Sequence, residues 1–318
     1  MQLGLDWHIC YRISLRQAIK TYFCRFVEIM VQIRRTLLII IIFVTGTFQL
    51  QAQKYYTAGE LGISAGGSQY FGDLNENYGF QTIHPSAGLY LRKRMNMYIA
   101  LKVETTITQV SYDDKYNTDL FDKTRNLNFT SQIFEAGVQA EFNFFGFVTG
   151  DPTHRFTPYL TGGIGAFTYS PYTTYNGQKY SLQPLGTEGQ NVSGYSNRKY
   201  GSVAACFPIG VGIKYWVIGG VNVTVEIADR LTTTDHLDDV SATYVGANNF
   251  KANSVALALQ DRSPEVNQGT AAFGIAGKQR GNTASMDQYL VAEISVSFNF
   301  TSYRCPSADR NDDQMRIR

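Results

Sequence analysis

The sequence predicts an all-β protein: an eight-stranded antiparallel transmembrane β-barrel with long extracellular loops and short periplasmic turns. Three observations carry that prediction. Eight segments between Gly59 and Phe300 alternate apolar and polar residues with a period of two. The connections between them alternate long and short. The composition is rich in Gly (29), Tyr (21) and Phe (20) but only 17% charged, which favours strands. An aromatic content of 14% is too high for a chain that cannot bury a core. A mean hydropathy of −0.19, with one unbroken apolar run at 37–44, excludes a bundle of membrane helices.

The chain opens on an export address. Arg34 and Arg35 precede the apolar run, and Ala52 follows at a plausible cleavage point. Eight apolar residues are too few to span a bilayer, which takes about 20. Met30 stands where such a signal should start, so 1–29 is read as the product of an upstream start or as a long basic leader. The expected organisation is therefore 1–52 as extension plus signal peptide, 53–301 as barrel and 302–318 as a periplasmic tail. The first 52 residues hold six of the 28 Lys and Arg and two of the 26 Asp and Glu, leaving 22 against 24. A mature chain of net charge −2 has no basic stripe for nucleic acid. Cys10 and Cys24 leave with the signal; Cys206 and Cys305 remain, and their separation in the topology predicts no disulfide between them.

The alternating segments follow in order. The first and second, 61–69 and 87–92, are rich in Gly. In the third, Ile99, Leu101 and Val103 alternate with Ala100, Lys102 and Glu104. In the fourth, Phe134, Val138 and Phe142 alternate with Glu135, Gln139 and Glu141. The fifth and sixth, 159–167 and 207–215, again carry Gly. In the seventh, Val221, Val223, Val225 and Ile227 alternate with Asn222, Thr224 and Glu226. The eighth alternates Leu290, Ile294, Val296 and Phe298 with Val291, Glu293, Ser295 and Ser297. Alternation alone fits a soluble sandwich as well as a membrane barrel. Three features favour the barrel: the long connections 73–81, 112–124, 170–201 and 232–284 against tight ones at 93–95 and 218–220 and a moderate one at 146–154; segments of roughly 9–13 residues, enough to cross a bilayer when tilted; and aromatics near segment ends, namely Tyr70, Phe71, Phe142, Phe144, Phe145, Phe147, Tyr215, Trp216, Phe298 and Phe300.

Three stretches then resemble a known family: LGISAGGSQYFGDLN at 61–75, TDHLDDVSATYV at 234–245, and Arg280-Gly281-Asn282 leading to Asp287-Gln288-Tyr289. The chain is similar over 55–300 to the PorG-like outer-membrane barrels of Bacteroidetes, whose namesake is a component of the type IX secretion system. That resemblance implies a barrel in the outer membrane, docked on its periplasmic side to the PorK/PorN ring of the secretion machine. The family also contains members without an assigned role. The expected partners are outer-membrane lipids and periplasmic ring proteins, with no nucleic acid.

The barrel parity places Glu60, Lys102, Glu104, Glu135, Glu141, Lys214, Glu226, Arg230 and Glu293 inside, where they either line a channel or pair and fill it; eight strands enclose just enough room for side chains, which favours filling. Candidate contacts for a periplasmic partner are Arg92, Lys93, Arg94, Phe147, His154 and Cys305. Asp235, His236, Asp238 and Asp239 supply carboxylates and an imidazole for hydrolysis or a divalent cation, but no nucleophile motif or metal-ligand spacing accompanies them. No enzyme and no cofactor is expected. The loop 235–287 is too long to lack structure, with a short helix expected at 254–261, whereas 170–201 reads as a solvated, possible recognition surface rich in Tyr, Gly and Ser. The alternative to a secretion accessory is a stand-alone surface barrel that binds ligands or host surfaces through these loops, with an outer-membrane hydrolase ranked last.

Overall fold

The computed structural model describes residues 57–266 and 273–301; the expected signal peptide, the expected tail and Cys305 lie outside them. Ten strands form: β1 (Thr57–Phe71), β2 (His84–Arg94), β3 (Ile99–Asp113), β4 (Asn128–Asn143), β5 (Phe156–Thr168), β6 (Pro171–Tyr175), β7 (Gln178–Ser181), β8 (Val203–Ile218), β9 (Val221–Thr232) and β10 (Gln288–Thr301). Eight of them make an antiparallel meander, β1 to β5 and then β8 to β10, and β10 returns to pair with β1 from Gly59↔Phe300 to Phe71↔Gln288. Closure leaves no ring strand with an unpaired edge, which is what hydrocarbon requires of a sheet. The remaining hairpin, β6–β7, hangs from the top of β4 through Thr130↔Tyr172 and Ser131↔Pro171. The reading of 170–201 as a solvated surface omits this hairpin.

The two ends of the barrel differ as the connection lengths predict. At one end the β2–β3 turn closes with Met95 N and Asn96 N donating to Ile99 O, and β8–β9 turns on Gly219 at φ 54. That left-handed value suits a residue without Cβ. The β4–β5 connection carries a 3-10 turn, Pro152–His154, whose preceding Asp151 accepts from Thr153 N at 2.9 Å. At the other end four long connections fold over the mouth. They include helices Leu120–Arg125, Leu182–Leu185, Val255–Gln260 and Ser263–Val266. The third occupies the helical stretch expected at 254–261, and Ser254 caps it by accepting from Leu257 N.

Which side faces outward settles the environment. Ile63, Leu89, Val103, Ile164, Ile209 and Ile294 are each more than half exposed, while Lys102, Glu104, Glu135 and Glu141 on the other parity are buried. A soluble protein does not wrap itself in so broad an apolar surface. Apolar outside and ionisable inside is the arrangement of a barrel immersed in lipid. Ring strands of 11 to 16 residues exceed what a tilted crossing needs, about 9–11, so they project beyond the bilayer at the long-loop end. There the interior changes character: Tyr70, Val110, Tyr112, Phe129, Ile133, Phe167, Tyr289 and Val291 form one apolar core with loop residues Leu74, Leu237, Val240 and Leu259.

Not every terminal aromatic belongs to an interfacial girdle. Phe144, Phe145, Phe298 and Phe300 are exposed, but Tyr70 and Phe147 are buried within the molecule. Strand parity decides this, since Tyr70 follows the even, inward positions of β1. Phe71 does point outward, and the loop rings of Tyr78 and Phe80 cover it at centroid distances of 5.0 and 5.5 Å.

Ile294 lies in mid-β10 and is 60% exposed. Ile294→Arg should cost about 2–4 kcal/mol in reversible unfolding from lipid bilayers, the penalty for a cation near the midplane. An ordinary water-facing site would register within about 0.5 kcal/mol.

Candidate functional site

Inside the ring the charges are arranged in three levels. Nearest the short turns, Arg92 bridges Glu60 (2.6 Å) and Glu141 (2.8 Å), Lys214 Nζ donates to Glu141 Oε2 at 2.6 Å and to Asn143 Oδ1 at 3.0 Å, and Ser297 Oγ donates to Glu60. At mid-barrel, Lys102 Nζ sits 3.0 Å from Glu104 and 2.9 Å from Glu226, and the Tyr159 hydroxyl donates to Glu226 Oε2 at 2.6 Å. Gln139 joins this level by donating to Glu104 and accepting from Thr161. Above it, Glu135 Oε2 takes hydrogen bonds from Arg230 (3.3 Å) and the Tyr289 hydroxyl (2.8 Å). All nine charges assigned inward face the lumen. Glu293 is the exception to pairing, with Oε1 buried and lacking a hydrogen-bond partner. The other eight meet an opposite charge within the lumen, as a low-dielectric interior demands.

Little space is left. A cavity of about 20 Å³ lies at the short-turn end among Glu60, Arg92, Asn143, Phe147 and Lys214, room for one water. Two of the candidate partner contacts are therefore corrected. Arg92 and Phe147 are both 4% exposed and belong to this packing; Arg92 follows the inward parity of β2, and Phe147 folds back to donate its N–H to Met97 O. Lys93 is exposed, Arg94 half-buried near Phe147 O, and His154 half-buried against Asp151 at 2.7 Å. Cys206 is a free, buried thiol.

The long-loop end holds a second polar system, and the three stretches that carry the family resemblance converge in it. Asp73 Oδ2 accepts from Asn282 N at 2.7 Å. A Cβ on Gly281 would lie 2.3 Å from that same oxygen and 2.8 Å from Ser241 N, so the strands of the cap approach here only because the residue is glycine. Arg125 pairs with Asp114 (2.7 Å) and donates to the carbonyls of Asp73 and Arg280. Arg280 in turn pairs with Glu188 at 3.0 Å, and Glu188 accepts from Ser241 N (2.6 Å) and Ser241 Oγ (2.7 Å). Asp239 accepts from Gln190, Tyr200 and Thr187. His236 stacks on Tyr200 at 4.3 Å with its Nδ1 3.3 Å from Glu188 Oε2. Loops that are far apart in sequence are thus fastened through buried hydrogen bonds.

Segment 170–201 is partly inside this cap, contrary to the solvated surface expected. Leu182, Thr187, Glu188 and Gln190 are buried. A composition rich in Tyr, Gly, Ser and Asn carries no sign that one Glu inside it is the acceptor for a distant Arg280.

Burial raises Glu188, but His236, Arg280 and Ser241 overcome it and hold the carboxyl down at about 2. Burial and the charge of Glu188 push Asp239 up to about 6. Burial, with Asp287 and Asp73 nearby, pushes Asp235 up to about 9. Asp238 and Asp239 are adjacent in sequence yet turn to different partners, Tyr70 and the Thr187–Tyr200 group. The quartet Asp235, His236, Asp238 and Asp239 does not converge on a nucleophile. Among the described residues no three His, Cys, Asp or Glu side chains are arranged to hold a metal ion.

The model of a family described as a domain of unknown function, DUF6089, matches residues 34–256, which takes in every ring strand except β10. No curated protein matches the chain. Among solved structures, the chain is similar to Neisserial surface protein A, at 10% identity and TM-score 0.37, covering 78% of this chain and 100% of that one. It is also similar to the N-terminal β-barrel domain of Pseudomonas aeruginosa OprF, at 11% identity and TM-score 0.33, covering 76% and 99%. Ail, the attachment invasion locus protein of Yersinia pestis, solved with the heparin analogue sucrose octasulfate, gives 10% identity and TM-score 0.35, covering 76% and 99%.

Glu141→Ala leaves Arg92 and Lys214 buried without their shared partner. It should cost about 3–5 kcal/mol in urea unfolding from detergent micelles. Combining Glu141→Leu with Lys214→Met should recover part of that loss, because Arg92 keeps Glu60 and no ammonium remains unpaired.

Proposed function

The chain belongs to the DUF6089 family, and from that premise we propose that it is a non-enzymatic outer-membrane β-barrel serving the type IX secretion system as an anchor. In this reading the lipid-facing belt fixes it in the outer membrane, and its short-turn end docks to PorK/PorN-like proteins of the periplasmic ring. The observation that carries the proposal is the filled lumen. Three levels of ion pairs cross the lumen and leave no route for a polypeptide. Export therefore belongs to a larger channel, and this barrel supplies attachment. At the short-turn end the groups open to a partner are Lys93, the Asp151–His154 pair, and Arg155, whose guanidinium lies over the rings of Tyr215 (4.9 Å) and Trp216 (5.4 Å).

A second reading is favoured by one specific observation. The stretches that carry the family resemblance meet at the long-loop end rather than at the turns. A stand-alone surface barrel, displaying a rigid cap to ligands or to other cells, places its distinguishing residues there.

Affinity purification of the full-length protein after detergent extraction separates the two. Co-recovery of ring proteins, and failure of type IX cargo export when the gene is deleted, are the expected results. Recovery of the barrel alone together with undiminished export would transfer the assignment to the surface-barrel reading.

A further inference from the structure

Beneath the cap, two carboxyl groups share a single hydroxyl hydrogen. The Tyr70 hydroxyl lies 2.6 Å from Asp238 Oδ2 and 2.8 Å from Asp287 Oδ1. The second oxygen of each carboxyl is already occupied: Asp238 Oδ1 accepts from Val240 N and Asp287 Oδ2 from Leu237 N, both at 2.8 Å. Both aspartates are 1% exposed. A phenol has one hydrogen to give, so with both groups ionised one of the two close oxygen–oxygen contacts holds no hydrogen and sets lone pairs against each other. One additional proton, on either carboxyl and donated to the Tyr70 oxygen, satisfies both contacts. Two acids that cannot ionise together at this separation behave as a pair sharing a proton.

We propose that this shared proton latches the cap: with it, Asp238, Tyr70 and Asp287 tie the β9–β10 loop to the barrel wall, and its loss at alkaline pH lets that loop lift.

The groups facing the pair supply no cation to take the proton's place. Asp73 approaches from the β1–β2 loop, Tyr169 from the end of β5, Glu188 from the β7–β8 connection, and Asp235 from the same loop as the pair. Arg280, whose charge reaches Asp238, is bonded to Glu188, and Arg125, whose charge reaches Asp73, is bonded to Asp114. Among the described residues none of Asp73, Asp235, Asp238 or Asp287 has an ion-pair partner closer than 4.0 Å, and Asp235 Oδ1 is buried with no hydrogen bond at all. Burial, opposed by the Tyr70 hydrogen bond and reinforced by Asp73, pushes Asp287 up to about 8; burial also lifts Asp73 to about 7. For a carboxyl raised above its unfolded value, near 4, the stabilisation is complete below that value and disappears as pH rises through the folded one. The latch therefore weakens between about pH 4 and 8 and above. Glu188, held at about 2, changes only far below this window.

The test is hydrogen exchange on the full mature chain in detergent micelles, reading protection factors of the Leu237 and Val240 amides from pH 6 to pH 9.5. Wild type should lose protection by at least about tenfold, the effect of one pKa unit. Asp287→Asn imitates the protonated acid, its carbonyl accepting from Leu237 N and its amide donating to Tyr70, and should stay protected at pH 9.5. Constant protection in wild type would overturn the proposal. So would an Asp287→Asn variant that is loose at every pH, which would mean the native bonds need a carboxylate. Closure at pH 9.5 that is restored by calcium and abolished by chelator would also overturn it, by showing that a cation and not a proton joins the pair.

Discussion

The structure depends on neutralising a set of ionisable side chains enclosed by a wall that is itself surrounded by hydrocarbon. A lone carboxylate or ammonium in such a place would cost several kcal/mol. The strand register meets this demand. Arg92 on β2 reaches Glu60 on β1 and Glu141 on β4; Lys102 on β3 crosses to Glu226 on β9; Arg230 on β9 crosses to Glu135 on β4. Most of these links connect strands that are not neighbours in the sheet. They act as struts across the lumen and hold the barrel round in a way that backbone pairing between adjacent strands does not.

A charged interior serves only as far as the membrane extends. Beyond it the strands stand in water, the outward pressure for an apolar surface ends, and the chain reverts to the ordinary rule of apolar inside. Tyr70, Ile133, Phe167, Tyr289 and Val291 occupy the same inward parity that carries Glu60, Glu135, Glu141 and Glu293 lower down. The molecule thus has two interiors in series, a salt-bridged one within the bilayer and a conventional hydrophobic one under the loops. The second gives the long connections something to pack on, so Leu74, Leu237, Val240 and Leu259 are held there rather than spread over the surface.

This division explains what the sequence reveals. Period-two alternation needs only local chemistry, so the eight ring strands, their inward charges and the long-short rhythm of connections are all visible in one dimension. What pairs with what is not visible. Glu188 lies in a stretch of Gly, Thr and Ser that looks solvated, yet it is the acceptor for Arg280, 92 residues away. Arg92 looks like one of three exposed basic residues beside a turn, but parity alone, applied strictly to β2, would have placed it inside with Tyr90. Parity likewise separates Tyr70 from Phe71, which a count of terminal aromatics treats alike. The hairpin β6–β7 escapes notice because its strands, of five and four residues, are too short to show a period.

The distribution of chemistry between the two ends bears on function. A stable protein contact generally buries about 800 Å² on each partner, with aromatic and Arg anchors at its centre. At the short-turn end Arg92 and Phe147 are withdrawn into the lumen, and the Arg155–Tyr215–Trp216 group is the evident anchor left among the described residues. Its cation rests on aromatic faces and donates to the carbonyls of Trp216 and Val217, so it is already ordered before any partner arrives. Ordering side chains on binding costs roughly 0.5–1.5 kcal/mol each. A rigid anchor of modest extent would suit the proposed docking to a multi-subunit ring, where linked weak contacts add up. The loop cap has the opposite design, with many residues fixed by buried bonds over a wide area, and such a surface is suited to staying closed.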